Sequence, residues 1–190
     1  MKTIRLLTVA FALAGVSSAF AGTITFEGVP ITSTDLGNYY QGVTFGPGIQ
    51  VTSTSSGYPA HSGSQEAALN DAPSTISFAA AQPDVSFWYT TLFGFAATAY
   101  DSHGNLLATK SEASNSSGVT GTDSLLDFGI GNISSVVITD DVGIGGFISI
   151  DDLSAAGISG LPAPDATSTL GLLGVGVAGL LAFRRKFATR

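Results

Sequence analysis

The chain has 190 residues and no cysteine, with 14 acidic and 7 basic residues and a formal net charge of −7. The absence of cysteine excludes disulfides, zinc–thiolate sites and cysteine nucleophiles. Most basic residues lie at the two ends of the chain, so residues 22–164 contain Lys110 as their only base, 13 acids and a net charge of −12. This charge excludes nucleic acid and anionic lipid as partners of that segment and favours cations.

The N-terminus has the composition of a secretory signal peptide. Lys2 and Arg5 form a basic start, an apolar segment covers residues 6–16, and the small residues Ala19 and Ala21 mark a cleavage position. The apolar segment is too short to span a bilayer as a structural helix. The sequence therefore predicts a signal peptide over residues 1–21 and export of the chain that follows.

Residues 22–154 have the pattern of an all-β domain, rich in Gly, Ser and Thr, with short β-branched and aromatic runs between turn signals. The spacing predicts a two-sheet antiparallel β-sandwich that is jelly-roll-like. The predicted strands are Thr23–Glu27, Val43–Phe45, Ile49–Ser53, Thr75–Phe78, Val85–Thr91, Phe95–Asp101, Leu106–Lys110, Ser124–Phe128, Ser134–Thr139 and Phe147–Leu153.

The connections between these strands are also predicted from composition. A short helical turn is expected around Ser64–Leu69, and residues 101–105 read as a hairpin loop in which Gly104 takes a positive φ. Residues 111–122 are expected to form a polar loop, and residues 155–163 a Gly/Ser/Pro linker after the domain.

Three acids are candidate calcium ligands. Glu27 ends the first predicted strand, while Asp151 and Asp152 lie in the last. Because the terminal strands of such folds commonly pair, we expect these carboxylates to lie close together, and calcium prefers carboxylate and carbonyl oxygens. The alternative is that they cap turns or face the solvent. Calcium is thus the one cofactor that the sequence suggests.

Several aromatic residues could include a sugar-stacking platform, with Trp88 as the principal candidate: Tyr39, Tyr40, Tyr58, Trp88, Tyr89 and Tyr100. In the strand Val85–Thr91, Val85, Phe87 and Tyr89 share one face, and Trp88 lies on the other, where it could stack against a sugar. The alternative is that Trp88 packs within the protein. His61 lies alone in a Ser/Gly loop and is expected to be structural or solvated, and no motif singles out a catalytic pair.

The C-terminus combines a short motif, an apolar stretch and a basic tail. Pro164, Asp165, Ser168 and Thr169 form the motif within residues 164–169, and residues 168–183 carry no charge. These 16 residues are fewer than the roughly 20 that a membrane-spanning helix needs, although snorkelling ends allow a shorter helix. The tail, residues 184–190, includes Arg184 and Arg185, which the positive-inside rule keeps in the cytoplasm.

This arrangement resembles the sorting signal of PEP-CTERM proteins and is most similar to the VPDSG-CTERM variant. Three positions depart from that variant, which leaves the cleaved bond open: Ala163, Ala166 and Thr167. The resemblance implies an exosortase-type membrane protease as a partner, which would remove the helix after export. Residues 26–28, 40–45 and 147–153, at the two ends of the domain, also resemble the framework of other PEP-CTERM ectodomains and, more loosely, carbohydrate-binding jelly rolls. A plain membrane anchor is the alternative.

From these features we expect an exported, non-enzymatic protein of the bacterial cell surface or extracellular matrix. It would be anchored in the inner membrane before processing and would then associate with exopolysaccharide in a biofilm. The second interpretation is a carbohydrate-binding, lectin-like module that uses calcium, and the third is a secreted hydrolase.

Overall fold

The computed structural model describes residues 21–31, 34–71, 73–141 and 148–162. Residues 1–20 of the predicted signal peptide and the whole predicted sorting segment, residues 164–190, lie outside the described residues. Within the described ranges, no helix is long and apolar enough to cross a membrane.

The described chain is all β-structure, in agreement with the predicted fold class, and its strands pair antiparallel throughout. The strands are β1 Ala21–Ile24, β2 Tyr40–Gln41, β3 Val43–Phe45, β4 Ile49–Ser53, β5 Gln65–Leu69, β6 Ser74–Gln82, β7 Val85–Thr91, β8 Phe95–Tyr100, β9 Leu106–Glu112, β10 Ser124–Asp127, β11 Ile133–Asp140, β12 Ile148–Ala156 and β13 Ser159–Pro162.

Two sheets form the body of the domain. Sheet I has six strands in the order β10-β7-β12-β5-β4, with β1 also paired to β12. Sheet II has five strands in the order β3-β6-β11-β8-β9, and β2 and β13 form a small separate ladder. The first strand thus pairs with β12, with Ile24 opposite Leu153, which confirms the expected pairing of the terminal strands.

The core lies between the two sheets because their strands alternate apolar and polar residues. In β7, Val85 and Phe87 are buried in the core and Tyr89 lies beside them, as the alternation predicted. Sheet II contributes Ile76, Val136 and Ile138 to the same core. Full burial of one such aliphatic or aromatic side chain stabilises a fold by about 1.5–3 kcal/mol.

The aromatic cluster at one end of the core involves the segment after β1. Phe26 packs edge-on against Tyr40 and Phe45, with ring centroids 5.9 and 5.8 Å apart. Phe26 has a φ of 59°, in the left-handed region that non-glycine residues seldom adopt. The buried ring therefore anchors a sharp change of direction directly before Glu27.

Two predicted connections are corrected by the structure. The helical turn expected at Ser64–Leu69 is strand β5, which pairs on both sides, with Ala67 opposite both Val51 and Ile150. Pairing on both edges outweighs the helical propensity of a segment rich in Ala, Gln, Glu and Leu.

The expected linker, residues 155–163, is the second correction. It contains the end of β12 and all of β13. Ile158 lies between these two strands along the chain, and its side chain is fully buried. Ser159 pairs with Gln41 in β2. The domain therefore continues to residue 162, two residues before the predicted sorting motif.

Candidate functional site

The candidate site is built around a change of partner along one edge of β12. The start of β12 pairs with β5 through Ile150, and its end pairs with β1 through Leu153. Asp151 and Asp152 lie between these two partners, where the register against β7 also shifts. The edge of β12 is therefore free of strand pairing at this point, and the loop before β5 occupies the position.

Both aspartates bind the same loop residue. The backbone N–H of Ser62 donates to Asp151 Oδ2 at 2.8 Å, and the Ser62 hydroxyl donates to Asp152 Oδ1 at 2.8 Å. Neighbouring side chains of a regular strand point to opposite faces. Here the irregular register and the left-handed φ of 46° at Asp152 bring both carboxylates to Ser62.

Glu27 binds the next residues of the same loop. Its Oε1 atom accepts hydrogen bonds from the backbone N–H groups of Ser64 at 2.6 Å and Gln65 at 2.7 Å. The Gln65 side chain completes the link, since its Oε1 accepts from the Gly28 N–H and its Nε2 donates to the Val29 carbonyl. We call Glu27, Asp151 and Asp152, together with the loop 61–65 that they bind, the carboxylate clamp.

The carboxylate clamp brings together the three acids that the sequence singled out for calcium. Each of them accepts hydrogen bonds from protein donors, and the described residues include no group of three or more acidic or histidine side chains arranged to hold a metal ion. One buried atom, Asp151 Oδ1, has no hydrogen-bond partner among these residues. The oxygen chemistry suits calcium, and calcium binding stays a prediction.

Trp88 lies on the outer face of sheet I beside the clamp. The His61 ring is stacked on its indole, with centroids 3.6 Å apart and an angle of 7° between the planes. His61 Nδ1 also lies 2.7 Å from Asp152 Oδ2. His61 is thus a structural residue, and it covers one face of the indole that was predicted as a sugar platform. Sugar binding by Trp88 stays a prediction.

A cleft of about 250 Å³ opens next to the clamp on the same face of sheet I. Its floor comes from β4, β5 and β12, and its wall comes from the turn after β4. We call it the polar cleft, and it is lined by Thr52, Ser53, Ser55, Tyr58, Glu66, Ala68, Asn70, Ile148 and Ser149. A smaller neighbouring space, which shares Glu66 and Ser149 with it and reaches Trp88, leaves no room for a water molecule.

Glu66 is the charged residue of the polar cleft and is only 3% exposed. Burial raises the pKa of Glu66 to about 7; a hydrogen bond with Ser149 acts in the opposite direction, and the charge of Asp151 adds to the increase. Burial likewise raises the pKa of Asp151 to about 6, against the hydrogen bond from the Ser62 N–H. Both carboxyl groups therefore change protonation within the mildly acidic to neutral range.

Tyr58 presents the second distinctive group of the polar cleft. Its hydroxyl is buried and has no hydrogen-bond partner among the described residues. Burial raises the pKa of Tyr58, and the nearby charge of Glu66 raises it further. A neutral hydroxyl donor and a carboxyl acceptor thus line the same cleft, together with smaller hydroxyl and amide groups.

The sequence did not identify Glu66, and it gave Tyr58 only as one of several aromatic residues that could stack against a sugar. Glu66 lies within a strand that was expected to be helical, and Tyr58 lies in the irregular segment between β4 and β5. The signal that was available is a lone acid directly before the apolar residues Ala67, Ala68 and Leu69, since a buried charge needs a specific reason.

Comparison with known proteins identifies the C-terminal segment. Residues 164–187 match the family model described as the VPDSG-CTERM motif. The match includes the predicted motif residues Pro164, Asp165, Ser168 and Thr169 and the basic Arg184 and Arg185. No curated protein sequence matches the chain significantly.

Several solved structures align with the domain at low similarity. The K2 cleaved adhesin domain of Lys-gingipain is 14% identical, over 73% of this chain and 98% of that one, with a TM-score of 0.45. The carbohydrate-binding module CBM6cm-2 from Cellvibrio mixtus lichenase 5A is 12% identical, over 63% and 91%, with a TM-score of 0.38. TmCBM61, solved with β-1,4-galactotriose, is 18% identical, over 60% and 85%, with a TM-score of 0.37.

The motif match concerns sorting and not the domain before it. Residues 164–187 carry a VPDSG-CTERM motif, a variant of the PEP-CTERM sorting signal, and they follow a domain that is an antiparallel β-sandwich.

Proposed function

We propose that the protein is an exported component of the bacterial cell surface or extracellular matrix that an exosortase-type membrane enzyme processes. The observation that carries the proposal is the VPDSG-CTERM motif at residues 164–187. The signal-peptide pattern at the N-terminus supports it, since an exported chain needs an entry signal. Before processing, residues 168–183 anchor the chain in the inner membrane.

After processing, the β-sandwich is the part that acts outside the cell, and we propose that it associates with exopolysaccharide in a biofilm without catalysing a reaction. Its fold suits that environment because a core spanning two sheets stabilises it without disulfides. Strand β13 ends at Pro162, two residues before the motif, so removal of the sorting segment leaves every described strand in place.

A second candidate function is that of a carbohydrate-binding module. It is favoured by the polar cleft, in which hydroxyl, amide and carboxyl groups converge beside an aromatic ring. Ligand sites commonly combine a concave surface with a few polar groups of this kind. On this interpretation the association with polysaccharide is a specific one, with a defined site.

The proposal is tested by fractionation of the cells that produce the protein. The wild-type protein should appear outside the cell and co-sediment with the purified extracellular polysaccharide. The double variant Pro164→Ala and Asp165→Ala should remain in the membrane fraction, whereas Ala188→Ser, beyond the matched motif, should behave like wild type. Protein that reaches the surface but never sediments with the polymer would contradict the matrix role.

A further inference from the structure

We propose that the polar cleft binds an uncharged, hydroxyl-rich saccharide unit, with Tyr58 and Glu66 as its principal contacts. This inference rests on the proposed association with polysaccharide and adds the site and the class of sugar. It moves the ligand site from the predicted Trp88 to a neighbouring surface of sheet I.

The wall of the polar cleft is rigid before any ligand binds. Ser55 and Tyr58 exchange two backbone hydrogen bonds, of 2.9 and 3.1 Å, that close the turn between them. A second loop supports this turn from outside, because the Ser116 hydroxyl donates to the Gly57 carbonyl at 2.6 Å and the Gly121 N–H donates to the Ser56 carbonyl at 2.9 Å. A preorganised wall reduces the entropy that binding costs.

The polar cleft contains groups whose hydrogen-bonding capacity a sugar would use. The Tyr58 hydroxyl is buried without a partner, and a buried polar group of this kind costs free energy until something bonds to it. Glu66 supplies a carboxyl acceptor that is only 3% exposed, and the Ser149 hydroxyl beside it is already hydrogen-bonded to this carboxyl group. A sugar hydroxyl donates and accepts, so one ring can satisfy both the Tyr58 donor and the Glu66 acceptor.

The charges around the polar cleft select against anionic sugars. Its lining includes no Lys, Arg or His, and Glu66 is its charged residue. Residues 22–164 also carry a net charge of −12, which repels uronate, sulfate and phosphate groups. A hard cation is a poor alternative, since calcium takes six to eight oxygen ligands and usually several carboxylates, whereas Glu66 is a single one.

The size and shape of the polar cleft set the length of the bound unit. Its volume of about 250 Å³ lies just below the usual range of roughly 300–1,000 Å³ for small-molecule sites. It therefore accommodates a short unit of a polymer, one or two rings, with the rest of the chain continuing outside. The Tyr58 ring forms part of the lining, and an aromatic ring there can pack on the apolar face of a sugar.

Trp88 is less suited to this role than Tyr58. His61 covers one face of its indole, and the space that reaches Trp88 leaves no room for a water molecule. Replacement of Trp88 would also disturb His61 and, through it, Asp152. Loss of binding in a Trp88 variant would thus be ambiguous, whereas Tyr58→Phe removes one hydroxyl and keeps the ring.

The test is calorimetric titration of the full-length protein in detergent with tetrasaccharides of glucose, galactose, mannose and xylose, and with tetragalacturonate. We expect at least one neutral tetrasaccharide to bind and tetragalacturonate not to bind. Tyr58→Phe should weaken binding of the neutral sugar about five- to tenfold, the usual effect of one hydrogen bond to a ligand. The matched variant Tyr100→Phe, on sheet II, should bind as wild type does.

The inference is overturned if no neutral tetrasaccharide binds, if tetragalacturonate binds equally well, or if Tyr58→Phe binds as tightly as wild type. Thermal unfolding of each variant shows that weaker binding is not a loss of fold. If the protein sediments with polysaccharide equally well with and without the Tyr58 hydroxyl, the polar cleft is not the binding site, but the proposed function stands. If the wild-type protein never sediments with polysaccharide, the proposed matrix role is wrong.

Discussion

The His61 imidazole lies flat on the Trp88 indole, with ring centroids 3.6 Å apart, and its Nδ1 atom lies 2.7 Å from Asp152 Oδ2. One loop residue thus joins β7 to β12 on the outer face of sheet I. The same loop is bound by Asp151 through Ser62 and by Glu27 through Ser64. The carboxylate clamp therefore fixes a long loop over the sheet and positions the surface next to the polar cleft.

Replacement of His61 should uncover Trp88 and loosen the loop. We expect His61→Ala to lower the free energy of unfolding by about 1–2 kcal/mol, from the lost ring contact and the lost hydrogen bond to Asp152. Trp88 is the single tryptophan of the chain, so its fluorescence reports this region directly, and its emission should shift to longer wavelength. His103→Ala, in an exposed hairpin tip, is the control. Equal, unshifted emission in both variants would show that the stacked pair does not form.

Gly63 and Gly104 form a matched pair that tests the contact with Glu27. Both have a positive φ, of 64° and 79°, so alanine is strained by about 1–2 kcal/mol at either position. A Cβ at Gly104 meets open space, but one at Gly63 collides with the Glu27 carboxylate, which the Ser64 and Gln65 amides hold in place.

We therefore expect Gly63→Ala to cost about 1–3 kcal/mol more than Gly104→Ala, because the collision breaks hydrogen bonds to a charged group. Urea unfolding of the two variants under identical conditions gives this difference. If the two glycines prove equally tolerant, Glu27 does not bind the loop as described.

The raised pKa values of the buried acids Glu66 and Asp151 lead us to expect that the free energy of unfolding falls as pH rises. The pKa of Glu66 is raised from 4.5 to about 7, and the pKa of Asp151 from 3.8 to about 6, with burial as the main cause in both. A raised folded-state pKa means that the folded protein binds more protons than the unfolded chain within that window. The stabilisation is complete below about pH 4 and is lost as pH rises through about 6 to 7.

We expect the free energy of unfolding to decrease by about 1–3 kcal/mol between pH 5 and pH 8, measured by urea unfolding at constant ionic strength. Glu66→Gln should flatten this dependence, since glutamine does not titrate. Asp35→Asn makes the same change from carboxylate to amide at an exposed position, so it should leave the dependence of the unfolding free energy on pH unchanged. A stability that rises with pH over this range would be contrary to the burial of Glu66.

Ile158 tests whether the fold reaches the sorting motif. It is fully buried in the segment that the sequence predicted as a linker, so Ile158→Ala should cost about 2–5 kcal/mol. Ile31→Ala makes the same chemical change at a position that is 54% exposed and should alter stability by about 0.5 kcal/mol at most. Similar small effects of both substitutions, in thermal or urea unfolding, would mean that residues 157–162 are a linker after all.

Strands with clear alternation were predictable from local sequence. Val43–Phe45, Ile49–Ser53 and Val85–Thr91 have the bounds that the sequence predicted, because each combines alternating apolar residues with flanking turn signals. Strand β5 was not predictable in this way. Its Ala, Glu and Leu favour a helix, and only pairing with β4 and β12 makes it a strand.

The candidate site was predictable in part. The pairing of β1 with β12 could be anticipated, and it brings Glu27 near Asp151 and Asp152. Their partner Ser62 could not be, because it is about 90 residues away in the chain and binds both aspartates only through the irregular register of β12. The buried position of Glu66 depends on the same long-range pairing.

Export followed by removal of the sorting segment is tested most directly by the intact mass of the protein from membrane and extracellular fractions of its own cells. We predict extracellular material that lacks residues 1–21 and ends near Pro164 and Asp165, with the whole β-sandwich retained. A chain that keeps its C-terminus through Arg190 and occurs only in the membrane fraction would contradict processing. It would make the C-terminal segment a plain anchor.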